Sequence, residues 1–172
     1  MSFSEALASD RVGELESAAA LYETVLDEGD RSLRVILNLA LLYWRATDFG
    51  LATHKRLSHA FFHRAFRRFP ELLEEAQRRF PESTEVRFWS RYTAWTDLGG
   101  PPLDPDWCKG LLREDPTQLV PAMHLYGLLQ GRKAYHKEAE ELLRRCREDG
   151  TTGARYVVSF IEGVMKRDRH RG

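Results

Sequence analysis

Along most of the chain the apolar residues recur at intervals of three and four, the spacing of one face of an α-helix. Leu15, Ala18, Leu21, Tyr22, Val25 and Leu26 form one such series, and Leu119, Ala122, Met123, Tyr126 and Leu129 another. Strand signals are nearly absent. No Asn-Gly or Asp-Gly pair joins two alternating runs, and Asp149-Gly150, the nearest approach, follows a stretch of helical spacing. The pattern predicts an all-α protein of about nine or ten helices.

Turn residues divide those helices. Gly29-Asp30, Phe80-Pro81, Asp115-Pro116 and Asp149-Gly150 each close an amphipathic segment and precede another. Proline cannot continue a helix and glycine readily takes the left-handed cap conformation, so all four are expected corners. They lie 51, 35 and 34 residues apart. A period near 34 is that of a helix-turn-helix repeat, and the longer first interval leaves room for one more helix. The expected organisation is one helical-repeat domain over residues 1–168, with units 1–32, 33–82, 83–116 and 117–150, a capping helix 151–168 and a polar tail 169–172. Repeats of this kind bury their apolar faces only by stacking on neighbours.

Within the second unit, Leu39, Ala40, Tyr43, Phe49 and Ala52 fall at the signature spacings of a 34-residue unit, with Thr47 to Gly50 as its turn. Gly13, Leu15, Ala18, Tyr22 and Val25 match the second half of the same unit, and Gly127 and Ala139 keep its two small positions twelve apart. On these residues the chain resembles the tetratricopeptide repeat family. The resemblance implies a right-handed solenoid of antiparallel helix pairs whose first helices line a concave face, and a role in binding proteins. It puts Arg34, Leu37, Asn38, Leu41, Trp44 and Arg45 on that face, with Arg87 and Arg91 on a later helix. Some members clamp an acidic carboxyl-terminal peptide with Lys, Asn and Arg there. Asn38 matches one such position, while Phe3 and Leu7 stand where the first unit would supply its Lys and Asn. Arg56 and His59 replace the aromatic and the Ala expected in the second unit, and a segment with Pro70 at a kink is inserted after them.

Composition narrows the function. The 172 residues carry zero formal net charge, 42% apolar and 30% charged side chains, within the range of globular domains. Charge is unevenly spread: residues 1–50 hold nine acidic and four basic side chains, and residues 51–100 six and nine. The first residues, MSFSEALASDRVGELE, have neither a basic start nor an apolar core, and no apolar run is long enough to span a bilayer. Cys108 and Cys146 lack metal-type spacing and read as free thiols in a reducing cytosol. A cytoplasmic protein without a membrane segment is the expectation.

Four candidate chemistries follow. His59 and His63 stand i, i+4 and share a helix face suited to a metal, but Ala60 replaces the Glu of a metalloprotease helix and no third ligand lies near in sequence, so they read as a solvated or stacked pair. Lys55, Arg56, Arg64, Arg67 and Arg68 interleave with Phe61, Phe62, Phe66 and Phe69, which superficially suits nucleic acid over a basic helix 54–79. Neutral overall charge argues against a dedicated nucleic-acid binder, and docking on an acidic protein surface uses the same residues. No elbow, glycine cradle or paired carboxylates mark an enzyme, and no cofactor is implied. The fourth is the concave face, with a protein or peptide partner that its arginines bias toward acidity. An adaptor, a chaperone, an immunity protein or a complex subunit would act in this way.

Overall fold

A computed structural model of the chain describes residues 2–169. Among the described residues there are ten α-helices and no strands: α1 Phe3–Val12, α2 Leu15–Asp27, α3 Leu33–Ala46, α4 Phe49–His54, α5 His59–Arg79, α6 Thr84–Asp97, α7 Pro105–Glu114, α8 Val120–Gly127, α9 His136–Asp149 and α10 Thr152–Arg169. All four corners read from the sequence fall between helices. They group into two compact units, one of α1 to α5 with Gly150–Gly153, the other of α6 to α9 with the rest of α10.

Local chemistry sets the boundaries. Ser2 and Glu5 form a capping box at α1, with the Ser2 N–H donating to Glu5 Oε2 at 2.7 Å. Gly13, at φ 82°, ends that helix in the left-handed conformation, and its N–H donates to the Asp10 carbonyl. Asp48, Ser58, Ser83 and Asp104 cap α4, α5, α6 and α7 through side-chain oxygens.

In the first unit α3 is the central helix. Ten of its fourteen residues are buried, from Val35 round to Ala46, so it has no wet face of its own and needs cover on several sides. α2 and α5 supply it. The sequence pairs α3 with a helix that follows a turn from Thr47 to Gly50, but the helix there, α4, starts at Phe49 and is a six-residue stub, stopped where Arg56 takes a left-handed φ of 53°. The main partner of α3 is instead α5, which buries Phe61, Ala65, Phe69, Leu72, Leu73 and Ala76 along one stripe. α5 runs unbroken through Pro70. The carbonyl four residues back, deprived of its donor, belongs to the exposed residue Phe66.

The second unit places α7 against α6 and α8, and α9 against α8. Its core holds Phe88 and Trp89 from α6, and Tyr92 donates or accepts a 2.5 Å hydrogen bond with Tyr156 of α10. α10 buries Ala154, Val157, Ile161 and Val164, an i, i+3, i+4 series. The Gly131 to Lys133 stretch is a turn between α8 and α9.

Candidate functional site

The residues expected on a concave face are largely engaged inside their own unit. Leu41 and Trp44 are buried, the tryptophan only 4% exposed. A Cβ at Gly153 would meet Leu41 Cδ1 at 2.7 Å, so the first turn of α10 lies directly on Leu41. The Arg34 guanidinium sits over the Phe3 ring at 5.6 Å, which accounts for an aromatic where a clamp would carry Lys. Arg45 lies over Trp44 at 5.5 Å and pairs with Asp48 at 3.4 Å.

Asn38 belongs to a polar chain that crosses the unit. Its Nδ2 donates to Tyr22 Oη at 3.4 Å, and Tyr22 donates to Asp10 Oδ2 at 3.2 Å. Asp10, which has no solvent exposure, receives on its other oxygen the Thr152 N–H at 2.9 Å and the Thr152 hydroxyl at 2.6 Å. A carboxylate of α1 thereby satisfies a backbone donor in the first turn of α10, and Asn38 bridges helices at the far end of the chain of bonds. Sequence reading missed this. An Asp on the same stripe as the buried Ala6 and Leu7 was the available signal.

In the second unit Arg87 pairs with Glu114, and the exposed Arg91 stacks over the half-buried Trp107 at 4.3 Å. Stacking leaves the Arg91 hydrogen-bond donors pointing outward, available to an acceptor.

The basic segment divides into two sets. Arg68 is structural: Nε and Nη2 donate to Glu23 Oε1 and Oε2, both at 2.9 Å, and Nη1 to Glu71 at 2.8 Å. Those carboxylates hold the guanidinium charged, their pull exceeding the opposing effect of burial. Lys55, Arg56, Arg64 and Arg67 are exposed, and their side chains make no ion pair or hydrogen bond among the described residues. Beside Arg67 on α5, Phe66 stands 53% exposed and meets the half-buried Phe62 edge-on at 5.0 Å between ring centres. The phenylalanines therefore split as well. Phe61 and Phe69 are core, whereas Phe62 and Phe66 start a second i, i+4 row one residue out of step with it. No acidic residue occurs between Phe49 and Pro70.

The amino-terminal end of this face is fixed by a long-range contact. Ser58 caps α5, its Oγ accepting from the Phe61 N–H at 3.2 Å. The Ser58 N–H in turn donates to Glu16 Oε1 at 2.6 Å. Among the described residues no three His, Cys, Asp or Glu side chains gather as metal ligands, and no helix is long and apolar enough to cross a membrane. Comparison of the chain with known protein families, with curated proteins and with solved structures gives no match.

Proposed function

We propose that the chain is a non-enzymatic protein-interaction module on a repeat-like helical scaffold, and that α5 carries its partner-binding face. One observation carries the reading: Phe66, half in water, lies beside Phe62 and among Arg64 and Arg67, cations whose side chains have no acceptor among the described residues. Aromatic and arginine side chains dominate the energetics of protein interfaces, and an exposed ring ringed by cations suits an acidic partner surface with an apolar anchor. The site thus moves from the concave face, where Leu41 and Trp44 are covered, to α5. Arg91 on Trp107 is a second contact of the same chemistry on the other unit. The two free cysteines support action in a reducing compartment such as the cytoplasm.

The same face supports a second reading, in which the rings stack on bases and the cations meet phosphates. A pull-down from the native host, with and without nuclease, separates the two when run alongside an Arg64→Glu/Phe66→Ser/Arg67→Glu variant. A stoichiometric protein that survives nuclease and is lost in the variant is the expected result. Loss of all bound material on nuclease treatment establishes the nucleic-acid reading instead. A partner that ignores the variant but is lost on Arg34→Glu or Arg91→Glu moves the site off α5.

A further inference from the structure

We infer that His59 and His63 form a two-imidazole site for a late first-row divalent ion, of the class of Ni2+, Cu2+ and Zn2+, with its outer coordination positions open. The inference does not depend on the partner reading. The two residues stand i, i+4 on α5, which brings their β-carbons to about 6 Å on one helix face. Both are exposed, and neither ring takes part in a hydrogen bond or ion pair among the described residues. The other described histidines differ: His124 is buried, His136 Nε2 lies 3.2 Å from Glu140, and His54 ends the stub α4.

The first turn of a helix usually frays, and a chelate there would be poorly held. Here Ser58 caps the turn and is itself anchored by Glu16, while Phe61, between the two histidines, is 4% exposed. The His63 ring also packs edge-on to Phe62 at 6.2 Å. Both ligands therefore start from a fixed backbone, and little ordering remains to be done on binding.

The surroundings select the ion. Lys55, Arg56, Arg64 and Arg67 share this stretch without an acidic residue, which disfavours hard cations such as Mg2+ or Ca2+ that need carboxylate oxygens. Imidazole nitrogen favours Ni2+, Cu2+ and Zn2+. The remaining positions fall to water, or to a carboxylate from outside the chain. A second copy offering its own His59 and His63 would bring the same cations face to face, so a chain loads its ion as a single copy.

Calorimetric titration of tag-free protein with NiCl2, repeated with ZnCl2, tests this. One saturable site per chain is expected in the wild type and in His136→Gln, and its loss in His59→Ala and in His63→Ala. Both substitutions are on exposed positions, and an unchanged thermal melt confirms that the variants fold. Absence of saturable uptake by the wild type, or retention of the site in either single variant, overturns the inference.

Discussion

Arg68 on α5 and Glu23 on α2 meet as a two-pronged ion pair, with both donor to acceptor distances 2.9 Å. Glu23 also accepts from the Tyr43 hydroxyl of α3 at 3.0 Å, so one carboxylate ties three helices. Arg31 and Glu75 pair at 2.5 Å across the same unit. Glu23 and Arg68 thus offset part of the acidic excess of the first fifty residues against the basic stretch after them, whereas Arg31 and Glu75 pair in the opposite sense. Arg64 and Arg67 on α5, like Lys55 and Arg56 before it, stay exposed with no ion pair among the described residues.

Replacing Glu23 by Gln keeps the shape and removes the charge. A half-buried, charge-assisted pair of this geometry contributes about 1–2 kcal/mol, more than an exposed pair and less than a fully buried one. Urea unfolding of Glu23→Gln should show a loss of that size with the slope unchanged, and Arg64→Glu should stay within about 0.5 kcal/mol of wild type. Equal effects of the two substitutions would show that Arg68 and Arg64 do the same work.

Asp10 sits at a costlier place. Its carboxylate is wholly buried and serves Tyr22, the Thr152 N–H and the Thr152 hydroxyl. Truncation to Ala removes the acceptor of all three of these buried bonds, and the expected loss is about 3 kcal/mol. Asn38→Ala, at the solvent end of the same chain of bonds and joined by a 3.4 Å contact, should cost about 1 kcal/mol or less. Denaturant midpoints of the two variants provide the check, and a reversed order would remove the bonded chain as an explanation for Asn38.

The helical class and the corners were legible because they depend on local chemistry: apolar period, proline, glycine and caps. What escaped was long-range. Nothing near Phe49 in sequence shows that α4 stops after six residues, since the cause is Arg56 entering a left-handed turn and α5 taking the place on α3. The apolar residues of α3 gave burial, but not which helices cover it. Leu41 and Trp44 read as groove residues because Gly153, which lies on Leu41, is more than a hundred residues away. Phe62 and Phe66 share a helical spacing with Phe61 and Phe69, and only the position of α3 decides which row faces in.

The two thiols should be inert in the folded protein. Burial, with Asp104 nearby, pushes the Cys108 thiol up to about 12, and burial with Asp149 and Glu85 does the same to Cys146. Thiolate is the reactive form, so at pH 8 neither should react with a thiol reagent on the timescale of its reaction with the chain in guanidinium. Rapid labelling of one thiol per native chain would mean that its surroundings open.

His124 gives the fold a pH dependence with a definite sign. The ring is buried, edge-on to Trp95 at 5.3 Å, and its Nε2 has no hydrogen-bond partner among the described residues. Burial lowers its pKa below the usual value near 6.5, and a backbone hydrogen bond with Leu103 only partly opposes this. The unfolded chain therefore binds a proton more readily than the folded one. Stability from this group is fully present above about pH 6.5 and is lost as pH falls toward the lowered folded value. The stability held by the Glu141 carboxyl, drawn down to about 2 by Arg144 and Arg145, is fully present above its ordinary value of 4.5 and is lost only below it. The two windows are separate, so urea midpoints measured from pH 8 to 5 report the histidine without Glu141. His124→Phe preserves an aromatic edge against Trp95 and removes the titration, and it should flatten the slope below pH 6.5. An unchanged slope in that variant would assign the acid sensitivity to another group.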